Sequence, residues 1–366
     1  MKTQIKLFIV LLLMSFNFSC DKSNEDLSEE IAIEIEDQEP DPLGPIDPTP
    51  TTETTDLYMV GYERDGDKPY AQLWKNGIQT SLPNAAGTSI ANSVFVAGTD
   101  EYIVGQAETS YNSAAILWKN GVGTNLTDGK KAAVANSVFV SEGDVYVVGN
   151  EQSEVINREI HTIAKLWKNG VATDLSTGTN DSSAYDVFVL GSDVYVVGEE
   201  YFEETFSYQI KLWKNGVEQS FDNSSQINRS ISIFVNGTDV YVAGYRQNSG
   251  ASIAVLWKNG VPTDLTNGDK QGIAMDVFVS GTDVYVAGVN SDTNNNQIAK
   301  IWKNGVATEL NSNTSATARS VYVSGTHVYV GGNEFDIAKY WKNGEPTNLS
   351  DGSNEARVTS VFVTKN

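Results

Sequence analysis

The stretch DVFVSGTDVYVAGVNSDTNNNQIAKIWKNGVATEL, residues 276–310, contains one full copy of the pattern that builds this chain. It opens on Val277–Val279, turns at Ser-Gly-Thr-Asp, and continues through Val284–Gly288 into a variable loop. It then runs up to Trp302-Lys303, turns at Asn304-Gly305 and closes on a short polar strand. All seven tryptophans of the chain fall in the same phrase, W-K-N-G, at Trp74, Trp118, Trp167, Trp213, Trp257, Trp302 and Trp341. They are spaced 44, 49, 46, 44, 45 and 39 residues apart. A period near 45 marks a solenoid, a propeller or an array.

Two further phrases keep step with the tryptophans. One is Val94–Val96, Val138–Val140, Val187–Val189, Ile233–Val235, Val277–Val279, Val321–Val323 and Val361–Val363. The other is Leu57–Gly61, Tyr102–Gly105, Val145–Gly149, Val194–Gly198, Val240–Gly244, Val284–Gly288 and Val328–Gly332. Alternating β-branched and aromatic residues read as short strands, and Asn-Gly between two of them demands a type I′ hairpin. Each unit is therefore four strands, A to D, in an up-and-down meander, and seven units predict an all-β, seven-bladed β-propeller. The repeats open at Leu57, on a B strand, and stop at Val363, on an A strand. The C-terminal strand is expected to complete the first blade and close the ring, leaving a monomer without exposed sheet edges.

V-Y-V-x-G followed by a variable loop and an aromatic hairpin strand resembles the kelch-like propeller repeats over Leu57 to Asn366. Kelch units carry a Gly-Gly doublet after strand B; here Gly331-Gly332 has it and the other units have one glycine. The resemblance implies propeller geometry and no particular activity, since such folds host many functions.

The first 19 residues read as a secretory signal, with Lys2 and Lys6 before an apolar run from Leu7 to Met14. Cys20, the sole cysteine, follows Ser19 at the cleavage point and resembles a bacterial lipoprotein signal, which implies lipidation there. The resemblance implies a place in a bacterial cell envelope as an outer-membrane lipoprotein, bound to the membrane through its N-terminal lipid, and leaves open which side of the membrane it faces. Residues 20–56 hold thirteen acidic residues against one lysine, with five of the nine prolines. Such a segment cannot bury enough apolar surface to fold and reads as an acidic tether. The repeat region, 57–366, keeps about −12 of the chain's −22 charge, which argues against a nucleic-acid partner.

If the A–B and C–D turns form one face, the bottom, they are nearly constant, and the variable B–C and D–A loops form the top. The arginines sort to that top face: Arg64, Arg158 and Arg246 in B–C loops, Arg229, Arg319 and Arg357 in D–A loops. The lysines of W-K-N-G sort to the bottom. With Tyr62, Tyr185, Tyr201 and Tyr245 nearby, the arginines suggest a rim for a glycan, an anionic ligand or a protein partner. A second reading is that they neutralise the domain's own carboxylates. The residue before the Ser or Asp that opens each A phrase (Asn92, Asn136, Tyr185, Ile231, Met275, Arg319, Thr359) is expected at the channel mouth. The residue after each B strand is expected there too. The Ser/Asp positions themselves are expected to bond backbone between blades, and the tryptophans to pack there.

Catalytic candidates are few. With two histidines and one cysteine, no nucleophile–histidine set can be drawn, and no transition-metal cluster. Glu199, Glu200, Glu203 and Glu204 crowd one loop and could supply a glycosidase carboxylate pair. Asp65-Gly66-Asp67, or Asp292 with Asn294–Asn296, are oxygen-rich positions that Ca²⁺ would favour, without EF-hand or RTX spacing. The sequence thus points to a non-catalytic, lipid-anchored binder, with a carbohydrate-active enzyme and a structural interaction platform as alternatives.

Overall fold

The computed structural model describes residues 55–83, 87–155, 159–221, 228–247, 250–311 and 314–365. The signal, Cys20 and almost all of the tether lie outside them. Seven four-stranded antiparallel sheets form the blades of the propeller. The innermost strands are β28 (Ala356–Lys365), β4 (Ser89–Ala97), β8 (Ala133–Ser141), β12 (Ser182–Leu190), β16 (Asn228–Asn236), β20 (Gly272–Ser280) and β24 (Ala316–Ser324). Ring closure is as the repeat phase predicts. The C-terminal β28 pairs with β1 (Thr55–Asp65), joining Leu57 to Val363 and Met59 to Val361 within the first blade.

Each tryptophan is at most 2% exposed and sits between blades. Trp167, for example, packs with Tyr102, Val104 and Ala115 of the preceding blade. Burying such rings removes a large apolar area from water seven times over, so stacking of blades is the main source of cohesion. The Asn of every W-K-N-G has φ between 51° and 54°, and each following Gly is also positive, as type I′ turns require.

The constant bottom turns form one recurring network. Asp100 accepts from Asn120 Nδ2 at 2.8 Å and pairs with Lys119 Nζ at 2.8 Å. That ammonium also lies 5.0 Å from the Tyr102 ring centroid. The same Asp–Lys pairs recur at Asp144–Lys168, Asp193–Lys214, Asp239–Lys258 and Asp283–Lys303. In these five blades the repeated Lys is thus engaged with its own blade's Asp and Tyr, whereas Lys75 pairs with Glu101 of the next blade at 2.9 Å.

At the top end, every A–B ladder skips one residue. The register shifts leave Asn92, Asn136, Tyr185, Ile231, Met275, Arg319 and Thr359 unpaired as single-residue bulges. A bulge kinks its strand and re-aims a side chain. Here it also explains the glycine of V-Y-V-x-G. A Cβ on Gly61, Gly105, Gly149, Gly198, Gly288 or Gly332 would lie 1.8–2.1 Å from a carbonyl oxygen of the facing bulged strand. None of these glycines has a positive φ, so close approach is what they serve.

Candidate functional site

The seven bulged residues surround a cavity of about 310 Å³ at the top of the axis. Below them the Ser/Asp positions (Ser93, Ser137, Asp186, Ser232, Asp276, Ser320, Ser360) form the floor of that cavity and the roof of the next. The lower space is walled by Phe95, Phe139, Phe188, Phe234, Phe278, Tyr322 and Phe362. Each of these rings meets the next at 4.6–5.1 Å and 46–55°, closing a circle of seven tilted contacts. A regular heptagon of that spacing sets the centroids about 5.5 Å from the axis, so the aromatic circle is about 11 Å across from ring centre to ring centre. Sequence reasoning took these aromatics as ordinary strand residues. The signal that could have identified them is their strict alternation with the buried valines on either side.

The bulged residues divide into two arcs. Thr359 Oγ1 donates to Ala91 O at 2.8 Å, Asn92 Nδ2 to Ala135 O at 2.9 Å, and Asn136 Nδ2 to Ala184 O at 2.8 Å. Each reaches one blade onward, so this arc stitches the mouth together. Tyr185 donates to Glu199 Oε1 at 2.6 Å, and burial raises its phenol pKa further, so it stays protonated. Ile231, Met275 and Arg319, on three consecutive blades, complete the circle.

The residues after strand B stand one layer behind the mouth. Glu199 is buried and accepts from Arg229 Nε at 2.8 Å as well as from Tyr185. Asn333, also buried, faces Arg319 Nε at 3.5 Å.

The arginine rim does not take the expected form. The described arginines lie near the top ends of strands and not in loops: Arg64 in β1, Arg229 in β16, Arg246 in β17 (Asp239–Gln247), Arg319 in β24 and Arg357 in β28. Four of them are ion-paired within the domain. Glu355 takes both Arg64, at 2.8 Å, and Arg357, at 2.7 Å. Arg246 pairs with Asp264, and Arg229 with Glu199 while lying 4.1 Å over the Tyr208 ring. Arg158 lies outside the described residues. Tyr62 donates to Glu355 at 3.0 Å, and Tyr201 stacks on Tyr208 at 4.8 Å. Tyr245 is half-buried beside Arg229.

The acidic loop does not assemble a carboxylate pair either. Glu199 and Glu200 are consecutive on β13 (Asp193–Phe202) and so point to opposite faces. Glu200 pairs with Lys211 at 2.9 Å, and Glu203 and Glu204 lie on an exposed turn. Among the described residues no three acidic, His or Cys side chains converge as a metal site. The Asp292 carboxylate is occupied by Asn294 N, Asn296 N and Asn296 Nδ2.

The Ser/Asp circle clamps neighbouring blades. Asp276 accepts from Ser232 Oγ at 2.7 Å, Val277 N at 2.9 Å and Val321 N of the next blade at 2.8 Å. Burial outweighs these bonds, and repulsion from Asp186 adds to it, pushing the Asp276 carboxyl up to about 6. A raised folded-state pKa means that the folded form holds the proton more tightly than the unfolded one. The resulting stability is therefore present near pH 4 and lost as pH rises to about 6. Allowing for solvent in the channel, the loss is on the order of 2 kcal/mol. Asp276→Ser copies the serine used at Ser320 and Ser360. Urea midpoints at pH 4 and pH 7 should show the variant gaining on the natural chain by that amount between the two. A difference constant with pH would show that Asp276 does not titrate.

No known protein family matches the chain, and no curated protein sequence matches it. Solved structures do. It is similar to the β-propeller domain of the Trilobed protease from Pyrococcus furiosus, with TM-score 0.53 and 13% identity, over 82% of this chain and 93% of that one. It is also similar to Pyrococcus horikoshii acylaminoacyl peptidase, with TM-score 0.51 and 12% identity, over 81% of this chain and 50% of that one. A Mycobacterium tuberculosis puromycin-hydrolyzing peptidase gives TM-score 0.47 at 10% identity, over 80% of this chain and 53% of that one. The chain thus spans about half the length of the two full peptidases.

These likenesses establish the fold. The geometry turns the functional reading away from a non-catalytic binder that grips a glycan with its top loops. Of the five described rim arginines, four already hold the domain's own carboxylates. The carbohydrate-active alternative falls with its carboxylate pair.

Proposed function

We propose that this propeller works in peptide hydrolysis, receiving the end of an extended peptide at its channel mouth and selecting substrate for a hydrolase. The observation that carries this reading is the axial cavity itself. It offers one side chain per blade, mixed polar and apolar, above an aromatic aperture too narrow for a folded chain. The propellers of the two Pyrococcus proteins support it by architecture. The kelch-like repeat, and a lipid anchor at Cys20 tethering the protein in the bacterial envelope, belong to the same proposal and rest on sequence alone.

The test is a thermal-shift and calorimetric panel of tetra- to hexapeptides against the full chain. Met275→Trp, which fills the mouth from a half-buried bulge position, serves as the blocked control. Saturable binding that the tryptophan removes, with the ligand-free melting temperature unchanged, is the expected result. Ligand at about 100 times its dissociation constant adds roughly 2.7 kcal/mol of apparent stability, a readable shift. Absence of binding across the panel, or binding indifferent to Met275→Trp, rejects the reading.

A further inference from the structure

Of the described arginines, Arg319 alone has no carboxylate within ion-pair distance. Its one described polar contact is the 3.5 Å approach of Nε to Asn333 Oδ1. Glu355, the acid whose charge reaches it, is already shared by Arg64, Arg357 and Tyr62. Two guanidinium groups therefore already share one carboxylate on this side of the mouth, and Arg319 stands within the field of Arg357. Burial, reinforced by the neighbouring Arg357, depresses the Arg319 pKa below its ordinary value. A desolvated cation without a counter-ion is costly, and proteins keep one where an anion is to arrive.

Arg319 belongs to the arc whose other members, Ile231 and Met275, make no polar bond, while the opposite arc is tied up in stitches between blades. A guanidinium beside two apolar side chains, on three consecutive blades, matches one chemical group: a chain-terminal carboxylate with an apolar side chain next to it. Other charges facing the cavity set the direction. Asp186 and Asp276 in its floor repel an anion that goes deeper, so a carboxylate is held at the mouth. An acidic terminal side chain is disfavoured for the same reason.

Resting on the peptide reading above, we infer that Arg319, with Ile231 and Met275, is a receptor for the free C-terminal carboxylate of peptides ending in an apolar residue. Arg presents a planar fork that a carboxylate meets through two parallel bonds, which an amide cannot reproduce.

The experiment measures binding of acetyl-Ala-Ala-Ala-Leu as the free acid and as the C-terminal amide, to the full chain and to Arg319→Gln and Arg319→Lys. The acid is expected to bind the natural chain at least about tenfold more tightly than the amide. Arg319→Gln should bring that ratio close to one, and Arg319→Lys should keep part of it. Because Gln removes a desolvated charge, its ligand-free melting temperature should equal or exceed that of the natural chain, which separates lost recognition from lost folding. Equal binding of acid and amide to the natural chain overturns the inference and leaves the peptide reading standing. So does an acid preference that survives in Arg319→Gln. Failure of both peptides to bind removes the receptor and the peptide reading together.

Discussion

Gly149→Ala should destabilise the propeller by about 4 kcal/mol or more, placing it among the rare, most severe single substitutions. The expectation runs against the usual sign, since Gly→Ala in an accommodating site stabilises by roughly 0.4–1 kcal/mol through the unfolded chain. At Gly149 the new Cβ would stand 1.9 Å from Val134 O and 2.9 Å from the Val134 carbonyl carbon. Both are backbone atoms of β8, so no rotamer change can relieve the clash. Either β8 separates from its partner strand and loses ladder bonds, or the bulge at Asn136 flattens and shifts every later side chain to the wrong face. The second route would also withdraw Asn136 from Ala184 O, cutting a stitch between blades. Gly250→Ala is the control, because that glycine is exposed with open space where its Cβ would be. Urea denaturation of the two variants should give a much lower midpoint for the first and little change for the second. A mild effect at Gly149 would mean that strand A can give up its bulge cheaply, and the repeated glycine would need another explanation.

That glycine shows how far the sequence could be read. Its recurrence was visible and helped to count seven blades, but its reason was not, because the clash partner lies across a ladder whose register slips by one residue. The blade count, the type I′ turns, the buried tryptophans and the closing strand were legible because each follows from local period and turn chemistry. The bulged positions around the mouth were legible too, as variable residues between constant flanks. The ion pairs of the arginines were not. Arg229 meets Glu199 from the blade before, and Arg64 and Glu355 are brought together only by closure of the ring. Sorting by face was therefore sound for position and misleading for purpose. Arg319 looked like its five companions in sequence and is set apart only by what its neighbours have already bound.

The largest effect should come from removing the closing strand. A chain ending at Asn354 loses β28 and, with it, nine register pairs along β1 from Thr55 to Glu63. Met59 and Trp74, both fully buried, would face solvent where Val358, Val361 and Val363 packed. The channel loses Phe362 from its aromatic circle, and Val94 N loses its acceptor, Ser360 Oγ. Thr359, which bonds both Val60 O and Ala91 O, also disappears from the mouth. Domains of ordinary stability have only about 5–15 kcal/mol to lose, and this deletion opens a bare sheet edge as well as a core. The truncated chain should show no cooperative unfolding transition and should associate through β1. Adding a synthetic peptide of residues 355–366 should restore the transition and the monomer, since that peptide carries all the missing contacts. Cooperative unfolding at an unchanged midpoint without β28 would show that blade-to-blade packing around the tryptophans holds this ring by itself.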